Sequence, residues 1–417
     1  MEQSDDIVHW LAINDKRGII PYYLLEYIIA RHGSLKKFWY LTKTEIMDMG
    51  FSEKDADYFI GYTNSVALGK YRDVLSYVRK NRIKIIRYVD EEYPEILKIS
   101  GTSIHEPPIL LFRKGLKIDF YKSVGIVGTR KATNYALKKT REFALELATQ
   151  KFWIISGMAK GIDTEAHLGA LEVKSGRTIA VLPWMDPITP LSNEDLSKQI
   201  IQKGCLLSEK IFHKGGSKKY PYIERNRITS GLSNFVIAVE SGSTGGTIRQ
   251  VDHAIAQNKS VYTLYHRESE SDQNIMKGFR LLVANGAVPI IDMTDIPNLD
   301  LFDSEKKTIK MRKRFDPTSY RLIFGLNEKD AVQRYIVNSK DPISKDKLEI
   351  IKLGDYDNSE DTATYKYYLL HSPEWEKDRP LCPRCGNENV ESRGHTWHCL
   401  TCNKYFTKRG EGTVISS

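Results

Sequence analysis

The stretch Val124-Gly-Ile-Val-Gly-Thr-Arg-Lys-Ala-Thr133 decides the fold class of this chain. It starts with a short apolar run typical of a buried strand, and Gly128 followed by Thr-Arg-Lys indicates a turn of phosphate-binding size. Residues 135–150 then place apolar side chains at helical spacing. A turn that opens a helix presents free N–H groups and the positive end of the helix dipole to an anion. For this stretch alone, an ordinary turn with solvated basic residues is the alternative.

A second segment of the same kind follows the predicted helix. The apolar run at 152–155 precedes Ser156-Gly-Met-Ala-Lys-Gly-Ile-Asp163, in which two glycines flank the lysine. Adjacent parallel strands would bring both turns to the carboxyl edge of one sheet, where α/β folds bind ligands. The spacing is not the GxGxxG fingerprint, and no acidic residue closes a ribose site, so the pattern does not favour NAD.

Further apolar runs alternate with amphipathic segments of helix length. This alternation predicts an α/β fold in which a mostly parallel sheet of seven strands is covered on both faces. The remaining predicted strands lie at 178–182, 205–207, 235–239, 261–264 and 288–291.

Several motifs together resemble those of the DNA-processing protein A (Smf) family. They are Gly128-Thr-Arg130, Ser156 to Asp163 with Ala166-His167, Leu207-Ser-Glu209, Tyr220-Pro-Tyr-Ile-Glu-Arg-Asn-Arg-Ile228 with Gly231-Leu-Ser233, Asp90-Glu-Glu-Tyr-Pro-Glu-Ile-Leu97 and Asn285-Gly-Ala287. The resemblance spans about residues 5–292 and implies an extended Rossmann-like domain of the Smf/LOG superfamily. It also implies single-stranded DNA binding, transfer of strands to a RecA-type recombinase during natural transformation, and a homodimer formed through the core.

The residue types in these motifs suit single-stranded DNA, which proteins hold in cationic grooves with aromatic platforms. Arginine and lysine side chains would supply charge, loop amides would contact phosphates, and Tyr220 and Tyr222 would stack on bases. Core or rim packing is the alternative for either tyrosine. The predicted nucleic-acid-binding residues are Gly128, Thr129, Arg130, Lys131, Ser156, Gly157, Lys160, Gly161, Lys218, Lys219, Tyr220, Arg225, Asn226, Arg227, Gly245 and Gly246.

No catalytic residue is predicted. His167 is expected to face the sheet as a polar residue with a partner, and Asp163 to brace its loop. Lysine-decarboxylase-like enzymes of the superfamily cleave nucleoside monophosphates and carry a glutamate where this chain has Arg249, after Gly245-Gly246-Thr247-Ile248. An arginine would repel a developing oxocarbenium charge, so an enzyme is not expected. A nucleotide-ligand sensor or nucleotide-processing protein of the superfamily is the alternative function.

Three positions depart from the family pattern. Ala136 stands where the family usually has glycine, and Glu240-Ser-Gly-Ser-Thr-Gly-Gly-Thr247 is richer in glycine than usual. A Pro-Gly pair that normally follows the next strand is replaced by His266-Arg-Glu-Ser-Glu-Ser-Asp272. The last change alters one wall of the expected pocket.

Composition agrees with a folded protein that binds a polyanion. The chain has 417 residues, 41% hydrophobic content and a formal net charge of +9. The apolar stretch around 19–30 is interrupted by Pro21 and Glu26 and is too short to span a bilayer. Because the N-terminus also lacks the features of a signal peptide, we expect a cytoplasmic protein without membrane association.

Five regions are predicted along the chain. Residues 1–85 read as a helical domain, similar to the sterile-alpha-motif-like or helix-hairpin-helix domain of the family, with capping-box patterns at Thr42-Lys-Thr-Glu45 and Ser52-Glu-Lys-Asp55. Contact with DNA backbone, self-association and plain packing are open roles for it. The Rossmann-like domain is expected at 86–300, a basic linker at 301–314 and a small mixed domain of unknown role at 315–378.

Four cysteines predict a structural zinc site in a ribbon at 379–412. Cys382 and Cys385 form one Cys-x-x-Cys pair, and Cys399 and Cys402 form the other. Such paired knuckles direct thiolates at one tetrahedral zinc ion with no open position. Two redox dithiols or disulfides are the alternative, which an intracellular setting disfavours. The fifth cysteine, Cys205, is expected to be an inert core residue.

Overall fold

The computed structural model describes the chain in two compact units, Met1–Asp73 with Met311–Ser417, and Val74–Lys310. The described residues are 2–16, 18–20, 22–99, 106–119, 122–213, 215, 220–266, 272–297, 299, 320–325, 349–356, 365–371, 396–398, 405–407 and 413–415. In these ranges, no helix combines the length and apolar character that crossing a membrane requires.

The N-terminal part of the first unit is helical, as its sequence predicts. Thr42 and Glu45 form the predicted capping box, and the Ser52 side chain accepts a hydrogen bond from the Asp55 N–H. Phe38 and Phe59 meet in the buried core with ring centroids 4.8 Å apart. The helices are α1 (Glu2–Asp15), α2 (Tyr22–His32), α3 (Leu35–Trp39), α4 (Lys43–Asp48), α5 (Glu53–Ser65) and α6 (Lys70–Lys80), the last of which continues into the second unit.

The second unit is built on one sheet. Its strands are β1 (Lys84–Arg87), β2 (Leu110–Gly115), β3 (Ser123–Val127), β4 (Trp153–Ser156), β5 (Arg177–Val181), β6 (Cys205–Ser208), β7 (Phe235–Ala238), β8 (Ser260–Leu264) and β9 (Val288–Ile290). Its helices are α7 (Glu95–Ile99), α8 (Asn134–Thr149), α9 (Ile162–Glu172), α10 (Glu194–Lys203), α11 (Tyr220–Gly231), α12 (Gly246–Ala256) and α13 (Gln273–Ala284).

The nine strands are ordered β1-β2-β6-β5-β4-β3-β7-β8-β9. The strands from β6 to β9 in this order are parallel to one another, and they are the seven that the apolar runs predict. Strands β1 and β2, which no apolar run predicts, join antiparallel at the β6 side of the sheet. The α/β class with a mostly parallel sheet is confirmed.

Both faces of the sheet are covered by a hydrophobic core. Successive residues of strand β7 point alternately into these two cores. Phe235 and Ile237 pack with Phe143 of α8 and Ala166 of α9. On the other face, Val236 and Ala238 pack in the core that includes Ala254 of α12 and Leu282 of α13. Helices on both faces of a parallel sheet explain why its strands read as continuous apolar runs.

The C-terminal part of the first unit contains two small antiparallel sheets. One has the order β10-β12-β11 and the other the order β13-β14-β15. Cys382, Cys385, Cys399 and Cys402, and the predicted linker at 301–314, lie outside the described residues. The strands are β10 (Tyr320–Gly325), β11 (Glu349–Tyr356), β12 (Tyr365–His371), β13 (Thr396–His398), β14 (Tyr405–Thr407) and β15 (Thr413–Ile415).

Candidate nucleic-acid interface

Three loops meet at the carboxyl edge of the sheet. The first loop (128–133) follows β3, the second loop (156–161) follows β4, and the third loop (240–245) follows β7. Strand β3 pairs in parallel with β4 on one side and with β7 on the other, so all three loops leave the same edge. The chain order reverses between β3 and β7, which is the position where open α/β sheets bind ligands.

The first loop presents two exposed cations on a fixed backbone. The Thr129 N–H donates to the Glu240 carbonyl at 2.8 Å, and the Lys131 N–H donates to Thr129 Oγ1 at 3.3 Å. Arg130 and Lys131 are both exposed. Their charges therefore face solvent beside the N-terminus of α8.

Buried Glu240 of the third loop anchors the start of α8. Its carboxylate accepts the Thr133 N–H at 3.0 Å and the Thr133 hydroxyl at 2.7 Å. The same hydroxyl accepts the Ala136 N–H at 3.1 Å, so Thr133 is the N-cap of the helix. His266 Nε2 lies 3.9 Å from this carboxylate, and burial lowers the pKa of the imidazole. The sequence gives no local indication of this pairing.

Buried polar side chains hold the second loop in place. The buried Ser156 hydroxyl donates to the Ile126 carbonyl at 2.7 Å, which ties β4 to β3. Asp163 accepts the Ala159 N–H at 3.2 Å, as its predicted bracing role requires. Met158 has a left-handed backbone with φ of 59°, and its carbonyl accepts Asn193 Nδ2 at 2.9 Å. Lys160, at the loop's tip, is exposed.

Gly161 brings the first and second loops into direct contact. Its φ is +78°, and a Cβ atom at this position would lie 2.6 Å from the Thr129 carbonyl oxygen. The next residue, Ile162, directs its N–H at the same oxygen at 3.4 Å. Only glycine combines this φ with this close approach at little cost. The backbones that carry Arg130 and Lys160 are thus adjacent.

The Arg-Asn-Arg motif lies on α11, where its three residues have different surroundings. Arg225 is only 7% exposed and its guanidinium packs against Gly157. Asn226 Nδ2 lies 3.4 Å from the Gly246 carbonyl oxygen and connects α11 to the start of α12. Arg227 is 6% exposed and forms an ion pair with Glu209 at 2.5 Å. Arg227 therefore has its carboxylate partner inside the protein.

An aromatic group borders the first loop. The Arg130 guanidinium lies 5.4 Å from the ring centroid of Tyr222, a cation–π geometry. Trp184 contacts Tyr222 with centroids 5.6 Å apart and His213 with centroids 4.6 Å apart. Tyr220 is 60% exposed and borders Lys218 and Lys219, which lie outside the described residues. Trp184 was missed because its proximity to the loops arises only in three dimensions.

Helix α12 begins at the third loop without a side-chain cap. Gly245 is its N-cap residue and makes no side-chain hydrogen bond to the helix. Gly245, Gly246 and Arg249 are all exposed. Unpaired N–H groups at a helix start attract anions, so this helix start can receive a phosphate. The residue at the position of the enzymes' glutamate is a solvated arginine.

His167 is buried with a polar partner, as predicted. The Thr178 hydroxyl donates to the Ile154 carbonyl at 2.7 Å, so its oxygen accepts from His167 Nδ1 at 2.6 Å. Burial, together with the positive charge of Arg225, lowers the pKa of His167 to about 3. Its imidazole is therefore neutral throughout the physiological range.

The profile of the family described as DNA recombination-mediator protein A matches residues 84–299. Protein Smf of Synechocystis is 31% identical over 311 residues, covering 69% of this chain and 75% of that protein. The X-ray structure of DNA processing protein A from Streptococcus pneumoniae is 24% identical with a TM-score of 0.54, covering 69% of this chain and 96% of that one.

A further solved structure concerns the single-stranded DNA binding mode of DNA processing protein A from Helicobacter pylori. It is 26% identical to this chain, with a TM-score of 0.44, and covers 54% of this chain and 97% of that one.

Proposed function

The chain belongs to the DNA recombination-mediator protein A family, and on this basis we propose that it binds single-stranded DNA as a recombination mediator in the cytoplasm. The observation that carries the proposal is the contact between the first and second loops at Gly161. This contact places the exposed Arg130, Lys131 and Lys160 around one short stretch of backbone. Cations and amides so grouped suit the closely spaced phosphates of one strand.

The aromatic group supports a single strand over a duplex. Unstacked bases of a single strand can lie on aromatic rings, whereas paired bases keep their faces within the duplex. Tyr222 lies directly beside Arg130, so a phosphate at the first loop would bring its base close to this ring. Base-edge recognition is not required, and we expect little sequence preference.

The direct test compares three ligands by fluorescence anisotropy: a labelled single-stranded oligonucleotide, the matching duplex and a labelled mononucleotide. We expect the single strand to bind most tightly and the mononucleotide only weakly. Saturable mononucleotide binding with indifference to oligonucleotides would instead support a nucleotide-ligand sensor, the second candidate. The uncapped start of α12 at Gly245 is the observation that favours this candidate.

Three further properties belong to the same proposal. The protein transfers its strand to a RecA-type recombinase, it acts as a homodimer, and it has no hydrolytic activity towards nucleotides. Exposed Arg249 supports the last point, because it offers a positive charge where cleavage of a glycosidic bond needs a negative one. Release of free base from a nucleoside monophosphate would overturn it.

We also propose one structural zinc ion, held by Cys382, Cys385, Cys399 and Cys402. The support is the paired Cys-x-x-Cys spacing, in which four thiolates complete a tetrahedral zinc site. Such a site contributes to folding and leaves no position for a substrate.

A further inference from the structure

Arg225 differs from the other cations of the interface because it is inside the protein. Arg130, Lys131 and Lys160 are exposed, whereas Arg225 is 7% exposed. Its position in the Arg-Asn-Arg motif gives no indication of this difference. A guanidinium that water hardly reaches is poorly placed to exchange counterions for a DNA phosphate.

The guanidinium of Arg225 occupies the space beside Gly157 where a side chain would otherwise lie. A Cβ atom built on Gly157 would overlap the guanidinium carbon and both terminal nitrogens. Gly157 therefore packs directly against the guanidinium, which supports the second loop from the protein interior. Nη1 of Arg225 also lies 3.4 Å from Thr229 Oγ1, one turn further along α11.

Asp163 is the buried carboxylate whose negative charge acts on Arg225. Asp163 is 5% exposed at the start of α9, where its carboxylate accepts the Ala159 N–H of the second loop. Burial lowers the pKa of Arg225, and the charge of Asp163 acts in the opposite direction. Burial likewise raises the pKa of Asp163, against the effect of Arg225. The two residues thus influence each other across the loop that both contact.

We propose that Arg225 is a positioning residue, which supports the second loop at Gly157 and does not contact the bound strand. The role rests on the proposed function, since it concerns how the loop is held for phosphate binding. Lysine cannot replace arginine here, because a single ammonium nitrogen does not fill the space beside Gly157 that the guanidinium carbon and both terminal nitrogens occupy.

Salt dependence separates a positioning residue from a phosphate contact. Each lost contact to a single strand makes the plot of log K against log salt shallower by about 0.7. For Arg225→Lys we expect binding weakened by about tenfold with an unchanged slope, whereas Arg130→Ala should reduce the slope. Gly157→Ala should behave like Arg225→Lys, since its new methyl group displaces the guanidinium.

The closing experiment measures oligonucleotide binding across salt concentrations for the wild type, Arg225→Lys, Arg225→Ala, Gly157→Ala and the Gly157→Ala/Arg225→Ala double variant. Removing the guanidinium makes room for the methyl group, so the two changes should be far from additive. If Arg225→Ala does not fold, Arg225→Lys and Gly157→Ala still test the slope. A shallower slope for Arg225→Lys, or additive effects in the double variant, would overturn the positioning role alone. Failure of the wild type to bind the oligonucleotide would instead overturn the proposed function.

Discussion

Gly161 and Thr129 join the first and second loops: a Cβ atom on Gly161 would lie 2.6 Å from the Thr129 carbonyl oxygen. The two residues belong to successive crossover units of the sheet, and the contact makes their loops one surface. The exposed cations of both loops are thereby brought to one surface, where the proposed function has them act on the same part of a bound strand.

Gly161→Ala should therefore damage both stability and binding. Alanine at a φ of +78° is strained, and its methyl group would collide with the Thr129 carbonyl. We expect a loss of about 1–3 kcal/mol in the free energy of unfolding, measured by urea denaturation. Gly246→Ala is the control, because a Cβ there meets nothing within 4 Å. Equal stability of the two variants would contradict the loop contact.

Thr133→Val should weaken the start of α8. The change removes the hydroxyl that caps Ala136 and donates to buried Glu240, at an expected cost of about 1–3 kcal/mol. Thr149→Val provides a matched control at the other end of the same helix, where the hydroxyl is exposed and donates to the Leu145 carbonyl. Thermal unfolding of both variants measures the difference, and a smaller loss for Thr133→Val than for Thr149→Val would count against the anchor.

His167 should make the folded protein less stable in mild acid. Its folded pKa of about 3 lies below its ordinary value of 6.5, so the unfolded chain takes up the proton first as pH falls. The contribution of neutral His167 to the free energy of unfolding is complete above pH 6.5 and is lost as the pH falls from 6.5 to about 3. Between pH 6 and pH 4, we expect the unfolding free energy of the wild type to fall more steeply than that of His167→Gln, by about 1.4 kcal/mol per pH unit. Parallel curves would show that His167 is not the buried neutral group described.

Zinc content tests the C-terminal cysteines. Metal analysis of the purified protein should return about one zinc ion per chain, and Cys382→Ser should lose it. Cys205→Ala should keep the metal, because Cys205 lies buried in β6, where burial raises the pKa of its thiol to about 12. A protein that purifies without zinc, yet keeps its folded C-terminal strands, would rule out the site.

The sequence predicts most of the parallel sheet because its strands are buried on both faces. A strand such as β7 does not alternate apolar with polar residues, so its continuous apolar run is easily distinguished from the polar segments around it. Strand β1 is different, because its two isoleucines lie between Lys84 and Arg87 and only Ile86 is fully buried. A short edge strand of this kind carries too little apolar pattern to be recognised.

The interface was predictable where its chemistry is local. Glycine turns and neighbouring cations identify the first and second loops without any tertiary information. The surroundings of Arg225 and Arg227 were not predictable, because Gly157 and Glu209 approach α11 only once the sheet that carries β4 and β6 has formed. A charged residue in a sequence motif of this kind can either hold a loop in place or contact the ligand. The burial of its side chain in the structure distinguishes the two roles.

The salt dependence of single-stranded DNA binding is the most direct measurement of the shared cationic surface. Anisotropy titrations should show steep weakening with salt for the wild type, and a slope shallower by about 0.7 for Arg130→Ala. Lys174→Ala removes another exposed cation just before β5, at the opposite edge of the sheet, and should leave affinity and slope unchanged. Indistinguishable curves for wild type and Arg130→Ala, or equal losses for Arg130→Ala and Lys174→Ala, would contradict binding at the joined loops.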